Sequence, residues 1–342
     1  MIAYTGGHNA PSRVARVQHY IKPLRERGIE VHECPSRAGV FPPQEKWLRP
    51  FWGIWNLCDR LPGVAKSFRY DLTFFQREFL STVVTWEPLT KGPRVFDVDD
   101  AIWVHRKGGF ARRLARLCDH VICGNGFLAE QFSRWNPNVS VLPTPVDPNR
   151  FQPKTGTANQ NRQIIGWMGL SSGFSYLHGV ERALAAVLRR RPDVVLRIVS
   201  DSRPRFRLVP DQRLEYVRWT VENQVPLMQE MTIGIMPLDD TVVSRGKCSL
   251  KMLQYMACGL PVVASPIGMN AEVLKQDEVG FGAASESEWV SCLDQLLGDP
   301  ELRSRMGQAG RRLVVQRYSV EVLTSQLAKI LRDVSGKPAQ FF

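Results

Sequence analysis

At 342 residues the chain exceeds the length over which one hydrophobic core keeps growing, so two domains are expected. An apolar share of 44% suits globular domains, and the longest apolar runs are too short to span a bilayer, which excludes a membrane-embedded helix bundle. The net charge of +12 points to an anionic partner. No zinc pattern, RNP-like aromatic motif or heptad zipper accompanies it, so nucleic acid is set aside in favour of a phosphorylated ligand or a membrane surface.

In chain order, MIAYT reads as a strand, and Ser12 caps a helix that reaches about Arg27, bent at Pro23 and stopped by Gly28. No charged leader followed by an apolar block is visible, so no secretory leader is expected. IEVHE, LTFFQ, PRVFDV, HVICG and VSVLPT follow as strands. Among them, EKWLRPFWGIWNLCDRLPG (45–63) sets Trp47, Phe51, Trp52 and Trp55 near helical spacing beside Lys46 and Arg49. That pattern suits a bilayer interface or a helix packed on the sheet. The dense basic run HRKGGFARRLARLCDH (105–120) is either a solvated helix face or a further attraction to anionic lipid.

FQPKTGTANQNRQ (151–163) is polar, without apolar period, and reads as a linker. Strands resume at QIIGWMG, VVLRIVS, LEYVRW, IGIMPL, LPVVAS and VGFGAA, each followed by a helix-like segment. The expected fold class is α/β, two doubly wound Rossmann-like domains facing across a cleft, with ligands at the carboxyl ends of the strands. The expected boundaries are residues 1–152 for the first domain, 153–162 for the linker, 163–334 for the second domain and 335–342 for a flexible tail. The last helix is free to cross back to the first domain. Seven scattered cysteines, with no C-x-x-C, suggest reduced thiols and a cytoplasmic location.

RGKCSLKMLQYMACGLPVVAS (245–265) places a glycine and a lysine before a helix but is not an NTPase loop, because Thr241 replaces the first glycine and Cys248 follows Lys247. Neither TGGHNAPS nor GWMGLSSG fits the dinucleotide fingerprint G-x-G-x-x-G, which argues against an oxidoreductase. Ser249 is expected to cap a helix running to about Ala257, with Gly259 ending it. Lys247, Lys251 and Gln254, spaced i, i+4, i+7, would then share one face and, with the helix amides, form an anion site.

MLQYMACGLPVVASPIGMNAEVL resembles the signature region of retaining glycosyltransferases of family 4, which have the GT-B fold. DHVICGNGFLAEQF with VLPTPVDPNRFQP is similar to the end of that family's first domain, IGWMGLSSGFSYLHGVERAL to the start of its second, and DPELRSRMGQAGRRLVVQRYS to its C-terminal helices. The resemblance implies transfer of a sugar from a nucleotide-diphosphate donor, held mainly by the second domain, to an acceptor held mainly by the first. It implies donor contacts at Gly169, Ser171, Ser172, Trp219, Glu222, Lys247, Ser249, Lys251 and Gln254, although GLSSG also suits a structural turn and Trp219 a core position. The family's pair of glutamates is replaced by Gly246 and Gln254, unless Asp239 or Asp240 supplies the missing acid. Where many members place a histidine, RVFDVDDAIWVH offers Asp97, Asp99 and Asp100. Asp99 and Asp100 are read as catalytic with Lys247 and Lys251, while Arg13 and Asp97 are read on the acceptor side. A D-x-D metal site and plain structural carboxylates remain open for the aspartates.

The resulting expectation is transfer with retention, no metal and no cofactor beyond the nucleotide-sugar donor, and a glycan or lipid-linked acceptor at the cytoplasmic or inner membrane face. Lys247, Lys251 and helix amides would stabilise the departing diphosphate. A nucleotide-sugar epimerase of the same fold, and a non-catalytic nucleotide-sugar-binding relative, are the alternatives.

Overall fold

The computed structural model describes residues 1–7, 11–39, 42–154 and 162–336. The centre of the first turn (8–10), most of the expected linker and the residues after 336 lie outside them. The chain divides into two compact units. The first comprises Met1–Pro145, Arg245–Cys248 and the segment beginning at Val320; the second comprises Val146–Ser244 and Ser249–Ser319. The division therefore falls at Pro145, ahead of the polar stretch 153–162, and the first unit is discontinuous in sequence.

In the first unit β1 (Ile2–Gly7), β2 (His32–Ser36), β3 (Thr73–Phe75), β4 (Arg94–Val98), β5 (His120–Cys123) and β6 (Val139–Val141) form one sheet in the order β2-β1-β3-β4-β5-β6. Every pairing is parallel. A sheet of this kind is buried on both faces, which is why its strands read as apolar runs. Its core joins Ala3, Phe74, Val95 and Ile122 to Val17 and Leu24 from the first helix, and to Leu323, Leu327 and Leu331 from the helix Val320–Ser335. Each of those leucines is at most 4% exposed, and burying one stabilises by about 1.5–3 kcal/mol. The last helix is thus part of the first unit's core.

Two local expectations shift. The first helix is interrupted by a π-turn at Val14–Gln18 before His19–Glu26, so its irregularity precedes Pro23. Gly28 does stop it, at φ +75°, where a side chain would be strained. The second strand pairs from His32, so Ile29 and Val31 pack beneath the core edge ahead of it.

In the second unit β7 (Gln163–Met168), β8 (Val194–Ser200), β9 (Leu214–Arg218), β10 (Ile233–Met236), β11 (Val262–Ala264) and β12 (Gly280–Gly282) form a sheet in the order β12-β11-β10-β7-β8-β9. It too is parallel throughout. Trp167, Ile198, Ile235 and Val263 meet Leu184, Leu188, Leu293 and Leu296 from the flanking helices in a continuous core. In each sheet the order reverses beside the first strand, the switch point at which doubly wound folds bind ligands.

Candidate functional site

In the second unit the site begins where β7 ends. The helix Leu250–Ala257 buries Met252, Leu253, Tyr255, Met256 and Ala257, and this fixes which side chains it leaves toward the strand ends. The Tyr255 hydroxyl accepts a hydrogen bond from the Met168 amide at 2.8 Å, tying the helix to the last residue of β7. One turn earlier, the Lys251 ammonium sits 4.5 Å from the centre of the Trp167 ring, a cation–π contact. A Cβ on Gly169 would stand 2.7 Å from Lys251 Nζ and 2.7 Å from the Trp167 ring. Glycine at 169 is therefore what lets the lysine lie against the loop after β7.

The other expected donor residues scatter around this point. The Ser171 amide and hydroxyl both donate to Asp201, at 2.6 and 2.8 Å, so that serine closes a 3-10 turn, Ser171–Gly173, with Ser172 inside it. These bonds, the amide first, hold the Asp201 carboxyl below its usual range. Gln254 accepts from the Gln224 side chain at 3.3 Å. Trp219 and Glu222 lie in the exposed turn after β9, so Trp219 is not a core residue. The Asp239 carboxylate accepts from the hydroxyls of Thr241 and Ser244, and it lines a cavity of about 260 Å³ with Tyr176, Arg182, Ser265 and Glu286.

Ser249 departs from expectation. Its backbone is left-handed, φ +49° and ψ +24°, and its side chain makes no cap bond. Its hydroxyl instead donates to Asn270 Oδ1 at 2.6 Å, while the Asn270 amide donates to the carbonyls of Met236 and Ser265 at the ends of β10 and β11. A left-handed serine costs on the order of 1–3 kcal/mol, so the surroundings must hold it there. The consequence is a break in the expected stripe: the helix starts at Leu250, and Lys247 is not on it.

Lys247 belongs to the first unit, within Arg245–Cys248. Asn125 explains how. Its Oδ1 caps the helix Gly126–Ser133 by accepting from the Leu128 amide at 2.8 Å, and its amide donates to the carbonyls of Arg245 and Lys247 at 3.2 and 3.1 Å. The Cys248 thiol donates to the Asp99 carbonyl at 3.2 Å, and Gly124 and Gly246 allow these backbones to approach. The segment thus lies against the carboxyl ends of β4 and β5.

The three aspartates there are chemically distinct. Asp97 is 2% exposed, and both its oxygens are held by Arg16, at 3.0 and 2.5 Å. Arg16 is as deeply buried and also donates to the Leu142 carbonyl at 2.8 Å. Asp97, expected on the acceptor side, is in the geometry of an internal anchor. Asp99 is half-buried, and burial, reinforced by the negative charge of Asp97, pushes its carboxyl up to about 6. Asp100 is exposed and accepts from the Ala101 amide. Arg13 is gripped by both oxygens of Glu33, at 2.5 and 3.0 Å, a bidentate pair that occupies its fork. Among the described residues no group of three or more His, Cys, Asp and Glu side chains is placed to hold a metal.

Sequence reasoning missed Trp167, Asn270 and Asn125. Each is an apolar or amide residue inside an ordinary-looking element, and only three-dimensional proximity gives it a role.

Residues 164–299 match the family model described as Glycosyl transferases group 1. The chain is 29% identical to the MMP alpha-(1->4)-mannosyltransferase of Mycolicibacterium hassiacum, over 74% of this chain and 65% of that protein. It is 27% identical to the GDP-mannose-dependent monoacylated alpha-(1-6)-phosphatidylinositol monomannoside mannosyltransferase of Corynebacterium glutamicum, over 58% and 57%. The chain spans 55% to 65% of the length of three curated relatives it matches and 23% of a fourth. Among solved structures, Anabaena HepE in complex with UDP and glucose superimposes with a TM-score of 0.72 at 16% identity, covering 97% of this chain and 99% of that one.

Proposed function

With residues 164–299 belonging to glycosyl transferases group 1, and the chain carrying the GT-B fold, we propose that the protein transfers a hexosyl group from a nucleotide-diphosphate sugar to an acceptor hydroxyl, with retention of anomeric configuration. The observation that carries this reading is Lys251 Nζ over Trp167, 2.7 Å from where a Cβ on Gly169 would stand. A diphosphate arriving at the end of β7 meets that ammonium. Charge accumulates on the diphosphate as the glycosidic bond breaks, so the ammonium stabilises the transition state more than the ground state. Asp99 and Asp100 act on the acceptor, Asp99 as a carboxyl that exchanges its proton near pH 6. No metal is required, because the cation that neutralises the leaving group is a side chain.

A mannosyl or glucosyl donor is favoured by the relatives, one named for GDP-mannose, and by the UDP and glucose held by the similar fold. The acceptor is a glycan or a lipid-linked glycan, and the protein works in the cytoplasm as a peripheral protein at the inner membrane face. Thermal shift with GDP and UDP sugars identifies the donor, since a ligand at a hundredfold its dissociation constant stabilises by about 2.7 kcal/mol. Product NMR with that donor then reads the anomeric configuration. Turnover of the donor into an isomeric nucleotide sugar without acceptor would overturn transfer as the reaction.

A further inference from the structure

The helix Arg49–Ser67 of the first unit is built the wrong way round for a soluble protein. Its protein-facing side is largely polar: beside Val64, the buried residues are Asn56, Arg60, Gly63 and Ser67. The Asn56 amide donates to the Gly39 carbonyl at 2.8 Å, Arg60 donates to the carbonyls of Cys34 and Thr5 at 2.9 Å each, and the Ser67 hydroxyl donates to Val64 and accepts from the Lys91 amide. Gly63 lies flat on the Tyr4 ring, where a Cβ would come within 2.9 Å. The outward side carries Phe51, Ile54, Trp55 and Leu61, continued by Trp47 before the helix and Phe68 after it, all between 43% and 70% exposed. Burying such side chains is what normally holds a helix to its protein, and here polar bonds to backbone carbonyls do that instead.

Charge selects the occupant. Lys46 is exposed ahead of the helix and Arg69 after it; Arg49, also exposed, donates to the Pro43 and Gln44 carbonyls, and Lys66 is exposed at the rim of a cavity that Trp55 also lines. Of the acidic side chains nearby, Asp59 is turned in to the Arg37 amide at 3.0 Å, and Glu45 and Asp71 flank the segment, leaving its exposed charge net positive. A second copy of the same face, laid parallel or antiparallel, would bring cations against cations. A bilayer with anionic headgroups takes the aromatics at the acyl boundary and the four cations among its phosphates.

We infer that this face docks on an anionic lipid bilayer, lying in the interface without crossing it. No helix among the described residues is long and apolar enough to cross. The inference deepens the proposed peripheral placement and identifies its element. It concerns binding alone, so it is tested with neither donor nor acceptor present, and failure of glycosyl transfer would leave it standing.

The experiment is flotation of the full chain with phosphatidylcholine vesicles, with or without phosphatidylglycerol, at low and high salt. Flotation is expected only with phosphatidylglycerol, and to fall as salt rises. Replacing Phe51 and Trp55 by serine, an exposed change that leaves the inward bonds intact, should weaken binding by about tenfold or more. Lys46→Glu and Lys66→Glu should each cost about fivefold or more. Brominated lipid should quench tryptophan fluorescence in the wild type and much less after Trp47→Phe with Trp55→Phe. No flotation on anionic vesicles, equal flotation on neutral ones, or undiminished binding by the serine variant would overturn the proposal. So would a dimer in light scattering that the serine variant dissolves, which would assign the face to a second copy.

Discussion

At the carboxyl ends of the first sheet stand Asp99 and Asp100, backed by a buried Arg16–Asp97 pair; at the corresponding ends of the second stand Gly169, Ser171 and the Lys251 ammonium. Both sheets have six parallel strands that reverse order beside their first strand. The difference lies in how each tolerates charge. The first unit pairs one buried carboxylate with a buried guanidinium, and beside that pair burial, reinforced by the charge of Asp97, pushes the Asp99 carboxyl up to about 6. The second rests its cation on an indole face. One plan thus yields a carboxyl-bearing end and an ammonium-bearing end.

Breaking the buried pair should have the largest effect. Arg16→Met leaves Asp97 ionised and unpaired in the interior and should cost about 3–5 kcal/mol in urea unfolding. Adding Asp97→Leu should recover most of that loss. If Asp97→Asn instead lowered turnover at unchanged stability, the residue would belong to the reaction and the contrast with Asp99 would collapse.

Lys251→Ala tests the other end. Hydrogen bonds to charged groups contribute roughly 1.5–3 kcal/mol, so calorimetry should show nucleoside diphosphate binding about ten- to two-hundredfold weaker. A nucleoside without phosphates should bind nearly as before. An unchanged diphosphate affinity would make Lys251 an ordinary partner of Trp167.

Asp99 sharpens the comparison through pH. Its carboxyl goes from 3.8 to about 6 on folding, so the folded chain holds the proton more tightly. The stabilisation is full below pH 3.8 and is lost as pH rises through 6. Asp99→Asn should remove that decline, worth about 1 kcal/mol after discounting for its partial exposure, and should abolish any step in turnover near pH 6. The smallest effects are expected at the rim. Glu222→Ala and Trp219→Ala should change donor affinity by less than about 0.5 kcal/mol, as exposed side chains do. Chelation by EDTA should leave turnover unchanged.

The inner strands were legible because a buried parallel strand has to be apolar along its length, as VVLRIVS and LPVVAS are, while edge strands such as HECPS and LEYVR, only partly buried, keep polar residues. The exception within an inner strand, Arg197, is 5% exposed and needs Glu215 and Glu230, neither near it in sequence. The same limit hid the Arg16–Asp97 pair, whose partners are 81 residues apart, beyond the reach of any helical or strand spacing. Lys247 and Lys251 were read as one stripe because a serine gives no warning of a left-handed backbone. The aromatics of 47–55 announced an apolar face, but only the inward Asn56 and Arg60 bonds show which way it points.

The discontinuity of the first unit bears on its birth. Leu323, Leu327 and Leu331 close a core whose other walls, from Ala3 to Leu142, leave the ribosome far earlier. At about 5–20 residues per second, roughly ten seconds or more of synthesis separate the two. Through that interval Val17, Leu24 and Phe74 face an open side, while the second unit, contiguous but for one four-residue excursion, is made and completed before the closing helix appears. The part made first is the part finished last, so nascent chains stalled between residues 145 and 320 are where a chaperone has apolar surface to hold.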